Sequence, residues 1–144
     1  MQKVLRDHGR EMNQSQLAVA LWLAAGRIEY NQVAVSVPAG LGKTRILLGL
    51  ACLLKRLKWD RELRFKRIVI AYPNQELLNQ ELHNLKAIKE VCNCLEWRVA
   101  KSEMDLTFDG RTVTALILEE ADWMLLDMQW KPKASFVVAL TATA

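Results

Sequence analysis

Lys43 and Thr44 close a glycine-rich turn, "VPAGLGKT" (37–44), that follows a β-branched run and precedes an apolar helical pattern. Glycines at 40 and 42 let the backbone enter left-handed or crowded conformations, so that successive amides turn inward on an anion. The positive end of the following helix points at the same place. A turn between strand and helix is the setting that a phosphate cradle requires. That cradle runs through Pro38, Ala39, Gly40, Leu41, Gly42, Lys43, Thr44 and Arg45. Lys43 would reach the β- and γ-phosphates of a nucleotide, and Thr44 would place a hydroxyl on magnesium. The competing reading is a tight strand–helix turn with no ligand.

A phosphate cradle alone hydrolyses nothing. Phosphoryl transfer also needs a metal and a group that orients the attacking water. "ALILEEAD" (115–122) carries carboxylates to the tip of an apolar strand. Glu119 and Glu120 are adjacent, so on an extended chain they face opposite ways. One can hold magnesium while the other activates water. A solvated acidic turn is the competing reading, and the cradle upstream favours the chemistry.

These residues need a scaffold, and the composition allows one. The chain has 144 residues, the size of one domain, with 51% apolar and 25% charged residues, which is globular rather than disordered. A net charge of +4 permits an anionic partner without requiring one. Cys52, Cys92 and Cys94 are an odd set with only two histidines to join them. That argues against a zinc site and for a reducing, intracellular compartment. No apolar run is long enough to cross a bilayer, so no membrane partner is expected. "LAVALWLAAG" (17–26) follows Asp7 and Glu11, the wrong flank for a signal peptide, and reads as a buried helix face.

Along the chain, residues 1–15 read as a polar lead-in, with Ser15 capping a helix over 16–28. Strands are expected at 32–37, 67–72, 94–100, 111–120 and 134–142, the first two fully buried. Helices are expected at 45–58 and 74–91, the second capped by Asn74 and lined on one face by Leu77, Leu78, Leu82 and Leu85. "KSEMDLTFDG" (101–110) is polar, with Asp109-Gly110 as a turn. Apolar strands alternating with helices predict an α/β fold: a mostly parallel sheet flanked by helices on both faces. Ligands of such sheets sit beyond the carboxyl ends of the strands. The loops after Val37, Tyr72, Leu118 and Leu140 therefore share one rim. Lys55, Arg56, Lys58, Arg61, Arg64, Lys66 and Arg67 fall on the far rim as a solvated basic face. Trp22, Trp59, Trp97, Trp123 and Trp130 read as core or interface residues, with Trp123 placed to meet a partner domain.

Taken in order, "VPAGLGKT", "YPNQELLNQE" (72–81), "LILEEADWMLLD" (116–127) and "VVALTATA" (137–144) resemble motifs I, Ia, II and III of superfamily 2 helicases and their DEAD-box relatives. "GLGKT" and "LTAT" are also similar to the forms in Swi/Snf-type remodellers. The resemblance spans residues 14–144. It implies a P-loop, RecA-like ATP-binding domain over 16–144 that uses ATP and Mg2+ and acts on RNA or DNA. By it, Lys43 and Thr44 bind phosphates and metal, Glu119 stands at the metal-associated acid, and Glu120 matches the catalytic glutamate. Asp122, Thr141 and Thr143 couple the nucleotide to the nucleic-acid surface, and Pro73, Asn74 and Gln75 touch the nucleic-acid backbone. Gln16, or Gln14, matches the glutamine that reads adenine.

Departures accompany the resemblance. Glu119 replaces the usual Asp and lengthens the carboxylate by a methylene. Val37 replaces a small residue. No counterpart of motif Ib is apparent where "KSEMDLTFDG" stands, and the second RecA-like domain that completes such motors has no room in these residues. The expectation is a motor domain that binds nucleotide, hydrolyses weakly and does not unwind duplexes alone. The alternative is a non-catalytic nucleotide-sensing or partner-binding module on the same fold.

Overall fold

The computed structural model describes residues 14–25, 31–37, 43–56, 65–89 and 95–141, with the backbone only for Ser15, Lys43, Thr44, Arg56 and 84–89. Among the described residues five runs form strands: β1 (Gln32–Ser36), β2 (Arg67–Tyr72), β3 (Leu95–Val99), β4 (Thr114–Leu118) and β5 (Phe136–Thr141), all but β3 largely apolar. They lie side by side in the order β1-β5-β4-β2-β3. Every pairing is parallel. All five carboxyl ends therefore meet one rim, as expected.

Among the described residues three α-helices accompany them: α1 (Gln14–Ala25), α2 (Lys43–Arg56) and α3 (Gln75–Lys89). The chain steps outward from β1 to β2 to β3 and then turns back through β4 to β5. Right-handed crossovers put outward and returning connections on opposite faces. The core divides accordingly. On one face Ile68, Ile70, Tyr72, Ile117, Val138 and Leu140 pack under Leu23 of α1, Ile46, Leu50 and Leu54 of α2, and Leu78 of α3. On the other, Val69, Leu116, Leu118 and Ala139 pack under Leu106, Phe108 and Met124. Two short helical turns carry that second cover, a 3-10 turn at Glu103–Leu106 and a π-helical turn at Trp123–Asp127.

Several expectations change in detail. The first helix begins at Gln14, so Ser15 lies inside α1 and does not cap it. Strand β1 is not fully buried: Val33 and Val35 face the core while Gln32, Ala34 and Ser36 are exposed, because among the described residues the second core forms over β2, β4 and β5 and not over this edge. Strands β4 and β5 are shorter than the apolar runs that encode them. The polar segment after β3 hides two anchors, Leu106 and Phe108, in the second core. Arg67 is not part of a solvated basic face. It makes a bidentate pair with Glu96 at 2.8 and 2.9 Å, and its guanidinium lies 5.1 Å from the centre of the Phe108 ring. Among the described residues no helix is long and apolar enough to cross a membrane.

Candidate functional site

Strand β4 is buried along its whole length and delivers two different carboxylates to the rim. Its ladder with β2 continues one step beyond the strand, where the Glu119 amide donates to the Ala71 carbonyl at 2.9 Å. Glu119 is thereby held in extension and is buried, at 5% exposure. The next residue reverses the chain. Glu120 has φ 53°, in the left-handed region. Its carbonyl accepts the Trp123 amide at 3.3 Å, opening the turn that leads into Trp123–Asp127. Asp122 sits half-buried immediately before that turn. The two adjacent acids so occupy different environments, one enclosed and one on an open surface.

That surface is a groove of about 460 Å³ lined by Pro73, Asn74, Leu77, Glu120 and Trp123. The end of β2 and the start of α3 form its other wall. Asn74 caps α3 as expected, its Oδ1 accepting the Leu77 amide at 2.9 Å. Trp123 is braced by Trp130, edge to face at 5.1 Å and 86°. The structure thus brings Pro73 and Asn74 into one groove with Glu120. Gln75 is not part of the lining, and its side-chain amide donates to Asn79 along α3 at 2.9 Å.

The carboxyl ends of β1 and β4 are separated by one strand, β5. Strand spacing puts them about 10 Å apart. Thr141, the last residue of β5, lies between them, half-buried. Its carbonyl accepts the Val37 amide at 2.8 Å, so Val37 prolongs the β1 ladder. The Val37 side chain belongs to the core under α2. Its departure from a small residue is a matter of core packing. Pro38, Ala39, Gly40, Leu41, Gly42 and Thr143 lie outside the described residues, as do Cys92, Cys94 and Trp59. Lys43 and Thr44 are the first two residues of α2, and half-buried Arg45 follows them. Gln16 is buried within α1, at 4% exposure, and Gln14 is exposed.

One residue on this rim opens the second motif-like stretch, where the resemblance gives it no role. Tyr72 ends β2, is fully buried, and its hydroxyl has no hydrogen-bond partner among the described residues. Burial pushes its phenol far above the ordinary tyrosine value, and the charges of Glu81 and Glu119 push it further. The hydroxyl therefore keeps its proton and is available as a neutral hydrogen-bond donor. Alternation along "RIVIAY" places it on the same sheet face as Ile68 and Ile70, which was the available signal.

The five-stranded, all-parallel sheet with flanking helices is a RecA-like fold. Comparison with solved structures agrees: the chain is similar to a Sulfolobus solfataricus SWI2/SNF2 ATPase core in complex with dsDNA, with a TM-score of 0.61 and 16% sequence identity. The match covers 93% of this chain and 32% of that one, so the chain spans about a third of that protein's length. No family model matches the sequence, and no curated protein matches it.

Proposed function

We propose that the chain is an ATP-binding motor domain of the superfamily 2 helicase type, coupling ATP hydrolysis to remodelling of RNA or DNA. The observation that carries this is Glu120. A non-glycine residue held at φ 53° at the end of a buried strand is backbone strain, and residues strained in this way cluster at functional sites. It sits beside a buried carboxylate and turns toward the same groove as Pro73 and Asn74.

In this reading the loop from Pro38 to Thr44, through the backbone N–H groups of Ala39 to Thr44 and with Lys43 and Arg45, holds the triphosphate, and Gln16 contributes to adenine selection. Among the described residues no three metal-ligating side chains cluster. That suits magnesium, which keeps water and phosphate oxygens as most of its ligands and takes one or two from protein. Glu119 and Thr44 would supply those. Bound magnesium would neutralise charge developing on the phosphates. Glu120 would orient and deprotonate the attacking water from its half-buried position. Asp122, Thr141 and Thr143 would relay nucleotide state along the rim, and Pro73, Asn74 and Gln75 would meet the nucleic-acid backbone. A second RecA-like domain, in cis or in trans, would complete the site. The DEAD-box style rests on "EADWMLLD" (120–127) alone, since the solved neighbour is a SWI2/SNF2 ATPase core in complex with dsDNA.

The test is titration with ATP and magnesium, followed by turnover with and without RNA or DNA. Turnover stimulated by nucleic acid and lost in Glu120→Gln, with nucleotide binding retained, is the expected result. Absence of binding rejects the proposal. Glu119 in place of the shorter acid favours a second reading, a nucleotide sensor, for which binding without turnover in either protein is the expected outcome.

A further inference from the structure

Tyr72 is the one fully buried side chain on the rim whose polar atom the fold leaves without a hydrogen bond among the described residues. A hydroxyl in that condition is unfavourable, and phenylalanine would fill the same space without the penalty. Native proteins hold few such groups, and each calls for an explanation. The surroundings of this one are specific. Ala71 pairs with Leu118, so the next step of the register sets Tyr72 abreast of Glu119. Ile68, Ile70 and Tyr72 share a sheet face with Ala115 and Ile117, and alternation carries that face on to position 119. Glu119 and Glu81 of α3 both act on the phenol electrostatically. A donor is thus enclosed one strand over from Glu119, a candidate magnesium ligand, with which it makes no hydrogen bond in this structure.

On the nucleotide-binding reading above, we infer that Tyr72 is a positioning residue for Glu119: its phenolic O–H donates to the Glu119 carboxylate when magnesium and nucleotide are bound. The chemistry has a reason in this chain. Glutamate has one more rotatable bond than aspartate, and its carboxylate needs restraint to serve as a metal ligand. A carboxylate has several lone pairs, so it accepts from the phenol while another position remains for the metal. Hydrogen bonds of this kind orient metal ligands, and losing one lowers metal affinity by about 10- to 100-fold.

The experiment compares the wild-type chain with Tyr72→Phe, Glu119→Asp and the double variant. Two quantities are measured: the thermal midpoint without ligand, and the affinity for a fluorescent ATP analogue as magnesium is titrated in from EDTA. Tyr72→Phe is expected to melt a few degrees higher without ligand, because the enclosed hydroxyl is gone. Its affinity for the analogue in EDTA stays at the wild-type value, while magnesium binds its nucleotide complex about tenfold more weakly or worse. In the Glu119→Asp background the shorter carboxylate lies beyond the phenol, so Tyr72→Phe adds no further loss. A purely structural tyrosine would shift the midpoint and leave the magnesium affinity alone. Magnesium-dependent binding in the wild type that Tyr72→Phe leaves unchanged overturns the inference alone. A wild-type chain that binds no analogue with or without magnesium overturns the nucleotide-binding reading and the inference with it.

Discussion

Glu120 stores strain that a different residue would release. The left-handed conformation costs an L-residue about 1–2 kcal/mol, and φ at Glu120 is 53°. Glycine adopts it freely but has more freedom to lose on folding, about 0.4–1 kcal/mol. Glu120→Gly should therefore raise stability by about 0.5–1 kcal/mol, read as a higher urea midpoint at unchanged slope. Glu120→Ala keeps the strain and should leave the midpoint near wild type. Both should abolish turnover. A substitution that stabilises while it inactivates marks a residue kept for chemistry. If Glu120→Gly lowers the midpoint, the conformation is supported by contacts worth more than the strain. Two acids at a strand tip were legible in "ALILEEAD". Their unequal environments were not, because alternation describes a continuing strand, and here the chain reverses at the second acid to enter the turn before Trp123.

Elements meet the site through their ends, and α3 is the clearest case. Asn74 ends the turn from β2, caps α3 and lines the groove. Its two roles separate by substitution. Asn74→Ala should cost about 1 kcal/mol in thermal or urea unfolding, the usual loss of a cap. Asn74→Asp caps equally well and suits the positive helix end, so stability should hold. The added negative charge should nevertheless weaken RNA or DNA binding at low salt, measured by fluorescence anisotropy. This cap was legible because its signal is local: an amide side chain directly after Pro73 and before an amphipathic run. The pairing of Arg67 with Glu96 was not, since the partners are 29 residues apart and meet only once β2 and β3 lie in register. Arg67 holds the Glu96 carboxyl below the usual carboxylate range. The stability it lends is present above the ordinary glutamate value of about 4.3 and disappears as pH falls through the lower folded value. With side chains 35% and 42% exposed, the pair contributes less than about 1 kcal/mol. Glu96→Gln should therefore remove a small part of the acid-induced loss of stability below about pH 4.3, seen by repeating urea unfolding across that range.

At the scale of the whole molecule, cover of the sheet is uneven, and stability should follow it. Strand β4 is buried on both faces and flanked by β2 and β5. Strand β1 has one neighbour among the described strands and exposes every second side chain. Continuous apolarity in "RIVIAY" and "ALIL" encoded the centre. "QVAVS" has similar residue types, but its place at the edge depends on the returning path from β3, which no local pattern contains. The edge strand also leads toward the proposed phosphate cradle, while the centre carries Glu119. A ligand bridging the two would couple the least protected strand to the most protected one. Amide hydrogen exchange should show β2, β4 and β5 opening only with global unfolding, and β1 exchanging through a smaller local opening. Ile117→Ala should cost about 2–5 kcal/mol and Val35→Ala distinctly less. ATP and magnesium should then slow exchange selectively in β1 and at its junction with α2, while β4, already at the global limit, gains only the overall stabilisation of the fold. Equal protection of β1 and β4 without ligand would contradict the uneven cover. Protection that rises uniformly with ligand would show that the nucleotide does not bridge edge and centre.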